Sequence, residues 1–191
     1  MNRFALVLLL ACAAAHAAPP AANSDDMDKF LADKGLLLNQ IGDHLDQVRQ
    51  SVSDKASELV VNAMGFLGVP YRRGGNTEET GFDCSGFVRA MYQQTVGLLL
   101  PRRADQQAAA TEKIDKSDLQ PGDLVFFNTM RRAFSHVGIY VGDGKFIHSP
   151  KPGAQVRVED MRVSYWQRRF DGARRVQTAS QQDPTTTAHQ R

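Results

Sequence analysis

The chain has 191 residues, enough for one globular domain of ordinary size with length to spare at both ends. Its 23 Lys and Arg against 21 Asp and Glu leave a formal charge of +2, which gives no case for a nucleic-acid partner. Two cysteines exclude a disulfide framework, and no segment beyond residue 17 is apolar enough for a membrane helix.

Residues 1–17 read as a secretory signal peptide. Arg3 gives a basic start, and Phe4 to Ala15 form an apolar run short of the roughly 20 residues that span a bilayer. Ala15-His16-Ala17 fits a small-x-small cleavage site. A rival reading takes Leu9-Leu10-Ala11-Cys12 as a lipoprotein signal lipidated on Cys12, although Leu10 fits it poorly. Either route exports the protein, and the periplasm is the expected compartment. Loss of the leader removes Arg3 and no acid, so the charge falls to +1.

Residues 18–52 are expected to hold a flexible lead and an amphipathic helix from 26 to about 50. Leu38, Ile41, Leu45, Val48 and Val52 form one apolar stripe at alternating spacings of three and four. Two heptads are too few for a coiled coil, so the stripe is expected to pack on the main domain or to contact a partner or a second copy. Ser53 reads as the N-cap of a second helix over 54–67, closed by Gly68 and Pro70. The compact domain is set at 53–177. The polar ending, 178–191, reads as a disordered tail. Gly74-Gly75 has neither phosphate-loop spacing.

After Cys84 a helical pattern puts Phe87, Val88, Met91, Tyr92 and Thr95 on one side. Strands then follow over 123–127, 136–141, 145–149 and 155–158, with another over 170–176. Helices first and strands after imply an α+β domain with an antiparallel sheet. Four arginine pairs, at 102–103, 131–132, 168–169 and 174–175, read as solvated surface rather than a basic rim.

Once the leader is gone, Cys84 has no intramolecular partner, and a leftover thiol in an exported chain waits for another chain or is reactive. Asp83 is a good N-cap, which puts Cys84 in the first turn of a helix. The unpaired N–H groups there favour a thiolate, while the Asp83 carboxylate opposes it. His16, His44 and His189 fall in the leader, the N-terminal helix and the tail. His136 and His148 remain, joined by a hairpin around Gly142-Asp143-Gly144. A three-residue loop pairs Gly138 with His148 and sends both histidines to one polar face with Tyr140 and Phe146. Val137, Ile139, Val141 and Ile147 then make the core side. This spacing suits nucleophilic catalysis, with His136 as base and His148 as the group that orients it. A lone cysteine is more often a small buried hydrophobe. Zinc is a further alternative, although no close Cys/His pair and no fourth ligand is in view.

The runs GVPYRRGGNTEETGFDCSGF, LPRRADQQA, LQPGDLVFF and HVGIYVGDGKFIHSP, in that order over roughly residues 56–176, resemble the NlpC/P60 family of cell-wall peptidases. The resemblance implies a papain-like fold, with the nucleophile at a helix N-terminus packed on a small antiparallel sheet. It implies Cys84 as nucleophile, His136 as general base and His148 as the third polar residue. Tyr71 would lie beside the centre, and Asp83 and Ser85 would help to bind substrate. Arg102 would be structural. Peptidoglycan stem peptides would be the substrate, cut within a stem at D-Glu to diaminopimelate or at a cross-link, with no cofactor or metal. The rivals are a papain-like wall amidase or acyltransferase, and a non-catalytic wall-binding protein. The second would be marked by loss of Cys84 or His136, and both are present.

Overall fold

The computed structural model describes residues 24–177. The expected leader with Cys12, the start of the lead and the tail from 178 onward lie outside the described residues, as does the side chain of Val52. The chain divides into two units between His44 and Leu45. In the first, the described part is one arm of helix α1. The second holds every other element.

Helix α1 runs unbroken over Ser24–Gly65, where a break at Ser53 is expected from the sequence. Nothing near Ser53 stops it. No Gly or Pro lies between 43 and 64, and serine inside a helix costs only a few tenths of a kcal/mol relative to alanine. A side-chain pair bridges the expected gap, Gln50 donating to Asp54 at 3.0 Å, and Lys55 donates to Glu58 at 2.9 Å just beyond it. Of the stripe, Leu38, Ile41 and Leu45 are exposed, and among the described residues of α1 Leu59 and Ala63, farther along, enter the core.

A two-stranded ribbon follows, β1 (Asn76–Thr77) and β2 (Gly81–Phe82). It leads into α2 (Cys84–Val96) and the short α3 (Ala104–Ala109). Strands β3 (Glu112–Ile114), β4 (Leu124–Phe127), β5 (His136–Gly142), β6 (Lys145–His148), β7 (Arg157–Asp160) and β8 (Phe170–Arg175) form one sheet. Its order is β3-β8-β4-β5-β6-β7 and every neighbouring pair is antiparallel. One turn of helix, α4 (Ser164–Gln167), precedes β8. The molecule is thus α+β, as the order of sequence patterns implies.

The two sheet faces bury different chemistry. Leu124, Phe126, Val137, Ile139 and Ile147 pack with Phe87, Val88 and Met91 of α2. Val125, Phe127 and Phe146 pack with Trp166 of α4. Burying a phenylalanine of this kind is worth about 2 kcal/mol, so the α2 contact is strong enough to fix where the helix begins. The expected polar face of the hairpin is therefore an aromatic one. His136 is 3% exposed and His148 fully buried.

The hairpin register is as expected, but its loop is not. Ile139 pairs with Ile147, which carries Gly138 opposite His148. The turn itself has two residues, Asp143 and Gly144, at φ 51° and 68°, the primed-turn geometry that suits strand twist. A register shift between Tyr140 and Gly142 restores the pairing the three-residue loop would have given. The expected strand 155–158 begins two residues later. Val156 is taken by the segment after α1: its N–H donates to Val69 and its carbonyl accepts from Gly68. Strand β3 and helix α4 are too short to leave a sequence period, and both went unpredicted.

Candidate active site

Cys84 opens α2. Asp83 caps it, in extended backbone at φ −91° and ψ 174°, and its Oδ1 accepts the Gly86 N–H at 2.8 Å. The same carboxylate is held by Arg102 through both guanidinium nitrogens, Nη1 to Oδ1 at 2.9 Å and Nη2 to Oδ2 at 2.6 Å. Gly74 N–H donates to Oδ2 at 2.9 Å. Gly86 cannot carry a side chain, since a Cβ would lie 2.1 Å from the Gly75 carbonyl oxygen. The double glycine is a seat for the helix start.

Cys84 is a half-buried free thiol. It shares a cleft of about 520 Å³ with Tyr71 and His136, and Thr129, Met130 and Ser135 line it from the loop before β5. Lys151, Arg157, Glu159, Tyr165 and Trp166 supply much of the rest. Asp83 and Ser85 do not line it. Both oxygens of Asp83 are used inside the protein, and Ser85 Oγ accepts from Arg102 at 3.0 Å. Arg131 and Arg132 are exposed and outside the cleft; the cations that line it are Lys151 and Arg157.

The two histidines meet as the sequence implies. His136 Nε2 lies 2.6 Å from His148 Nδ1, with the rings at 88° to one another. Gly138 allows this approach, because a Cβ there would sit 2.6 Å from the Phe146 ring and 3.1 Å from His148 Cβ. Trp166 stacks on His136 at 5.7 Å between centroids. His148 Nε2 in turn lies 2.7 Å from Glu159 Oε2, and Arg157 donates to Glu159 Oε1 at 2.8 Å. Glu159 and Trp166 were missed in the sequence. Glu159 falls one residue past the expected strand, and the alternation of that strand was its only available signal.

Burial dominates the electrostatics. It pushes the Cys84 thiol up to about 11, with the Asp83 charge adding to it; N–H groups of Val137 and Ser85 and the Arg102 charge pull the other way. The helix terminus is therefore outweighed, and the thiolate it was expected to favour is not the resting form. Burial, then the neighbouring His148, holds His136 well below the usual histidine value. Burial also lowers His148, against the pull of Glu159. At Glu159, burial acts to raise the carboxyl, and the His148 and Arg157 partners outweigh it and keep it ionised. Tyr71 is raised by burial and by nearby Cys84 and Asp83, so its hydroxyl keeps its proton. The described residues hold no cluster of three or more His, Cys, Asp or Glu fit for a metal ion.

This arrangement sets a thiol and an imidazole on the wall of one open cleft. The family model that matches, over residues 68–175, is that of the NlpC/P60 family. The chain is 38% identical to murein DD-endopeptidase MepH of Escherichia coli, over 85% of this chain and 64% of that protein. It is 33% identical to murein DD-endopeptidase MepS/murein LD-carboxypeptidase of the same organism, over 91% of this chain and 89% of that protein. It is 42% identical to gamma-DL-glutamyl hydrolase of Bacillus subtilis, but spans only 28% of its length. Among solved structures, an NlpC/P60 family protein from Bacillus cereus matches 63% of this chain and 39% of its own at a TM-score of 0.58 and 37% identity. With thiol, histidines and match falling in one segment, the chain belongs to the NlpC/P60 family.

Proposed function

We propose that this protein is a peptidoglycan hydrolase, a cysteine peptidase that cuts a peptide amide through an acyl-enzyme on Cys84. The observation that carries the reading is a thiol at a helix start sharing an open cleft with a histidine whose other nitrogen is tied to a second histidine. Cys84 and His136 begin as a neutral pair. As the carbonyl carbon of the substrate meets the sulfur, His136 takes the thiol proton and the C–S bond forms. The Cys84 N–H at the helix start and the Tyr71 hydroxyl are the donors available to the oxyanion. Collapse breaks the C–N bond, and His136 returns its proton to the leaving amine. Water then attacks the thioester with His136 as base again, releasing a carboxylate and the thiol.

The bond cut is assigned to the cross-link between stems. The support is the naming of relatives: those matching 85% and 91% of this chain are DD-endopeptidases, whereas the gamma-DL-glutamyl hydrolase matches 61%. Lys151 and Arg157 suit the free carboxylates of such peptides. Export to the periplasm rests on the leader read in residues 1–17 and on the wall substrate. The test is purified diaminopimelate-type peptidoglycan treated with the wild type and with Cys84→Ala, with products read by mass spectrometry. Loss of cross-linked dimers with the wild type alone is the expected result. Fragments cut within a stem would move the assignment to the D-Glu bond, and stems freed from sugar would make it an amidase. Binding without any cleavage would make it a wall-binding protein.

A further inference from the structure

The chain of contacts behind the cleft does not end at the second histidine. Glu159 is on β7, opposite Phe146 of β6, with Arg157 opposite His148. Its two oxygens have separate partners: Oε2 meets His148 Nε2 at 2.7 Å, and Oε1 accepts from Arg157 at 2.8 Å. An ionised carboxylate only accepts, so the proton of this contact belongs to His148 Nε2. A neutral ring carries one proton, which leaves His148 Nδ1 as an acceptor. The hydrogen on the 2.6 Å contact must then come from His136 Nε2. That leaves His136 Nδ1 without a proton, as the one ring nitrogen free to take the thiol proton.

We infer that Glu159 is a positioning residue that fixes the proton on both histidine rings, so that His136 presents an unprotonated Nδ1 to Cys84. It acts two rings away and touches neither the sulfur nor the scissile bond. The inference rests on the cysteine-hydrolase reading of this same site. Alone, the His136–His148 contact could run in either direction, since each ring can donate or accept. Reversed, it would place the His136 proton on Nδ1, and the base would have no lone pair for the thiol. The carboxylate removes this ambiguity. Its negative charge also stabilises the imidazolium that forms when His136 takes the proton during the reaction.

The experiment is ¹⁵N NMR of the histidine rings in the full chain, which reads tautomers without any substrate, joined to kinetics on a soluble cross-linked muropeptide. In the wild type both rings are expected to carry hydrogen on Nε2. A His136 ring protonated on Nδ1 would overturn the inference at once. Glu159→Leu is expected to give mixed tautomers and about a 100-fold lower kcat at unchanged KM, the low end of what a positioned base supplies. Glu159→Gln keeps an acceptor without the charge; it is expected to hold the tautomers and lower kcat about tenfold. Should the leucine variant not fold, Glu159→Ala takes its place, and wild-type tautomers with a kcat within twofold of wild type in either variant overturn the inference. A raised KM at constant kcat in either variant does so too, because it makes Glu159 a substrate contact at the cleft wall. If the wild type cuts no peptidoglycan yet shows both Nε2 protons, the hydrolase reading falls and the positioning role stands.

Discussion

The Cys84 thiol sits at a helix start yet is held at about 11, because the loss of water around sulfur outweighs the N–H groups aimed at it. Alkylation by iodoacetamide should therefore accelerate steadily from pH 7 to 10, followed by mass spectrometry of the intact protein. A rate already level at pH 7 would mean a preformed thiolate–imidazolium pair and would sink this account. The buried histidines make a second prediction. Burial lowers both His136 and His148 in the folded protein. In the unfolded chain they take up protons near pH 6.5. The unfolded state then binds more protons, so stability is fully present above that pH and is lost as pH falls below it toward the folded values. The urea midpoint should drop between pH 7.5 and 5.0. The carboxyls that are themselves held low, Glu159 and Asp160, stay ionised throughout that window. An unchanged midpoint would show that the histidines are not shielded as described.

At the scale of elements, the site depends on where α2 begins and how closely β5 and β6 approach. Gly86→Ala places a methyl 2.1 Å from the Gly75 carbonyl, a backbone atom that cannot rotate away. The expected cost is about 1–3 kcal/mol, typical of overpacking, together with a displaced Cys84 and lost activity. Thermal melting and fragment release measure the two effects, and a variant with wild-type values for both would dismiss the seat described for the helix. The Arg102–Asp83 fork is the second support. Arg102→Ala leaves a mostly buried carboxylate with only backbone and serine partners, at a cost of about 2 kcal/mol for lost charged hydrogen bonds. Arg102→Lys should recover little, since one ammonium cannot meet both oxygens as the planar fork does. Full recovery by lysine, read from the urea midpoint, would reduce the fork to a simple charge.

Across the whole molecule, one sheet with two differently buried faces brings the Cys84 thiol at a helix start and His136 of β5 to a common cleft, with His148 buried behind it. Among the described residues of α1, the first in the core is Leu59. A chain beginning at Ser53 keeps that residue, so it should melt within a few degrees of the longer protein and release the same fragments. Faster release by the shortened chain would make the N-terminal arm a lid. A fall from dimer to monomer on sedimentation would assign the exposed Leu38, Ile41 and Leu45 to contact with a second copy.

The sequence by itself determined the α+β class, the cap at Asp83, the buried side of α2 and the hairpin register that sets His136 beside His148. Each rests on a short-range rule, either a capping preference or a period of 3.6 or 2, and such rules act within a few neighbouring residues. The absence of any period in the four residues of α4 hid Trp166, and a strand boundary displaced by contacts with residues 68 and 69 hid the alignment of Glu159. The sequence also suggested a break at Ser53 that no residue there enforces. Tertiary structure alone decided that the histidine face is aromatic and dry, that Asp83 is spent on Arg102 and Gly74, and that the thiol rests protonated. Burial and hydrogen-bond partners are properties of packed neighbours distant in the chain, and water exclusion, which sets the proton positions here, exists only once those neighbours meet.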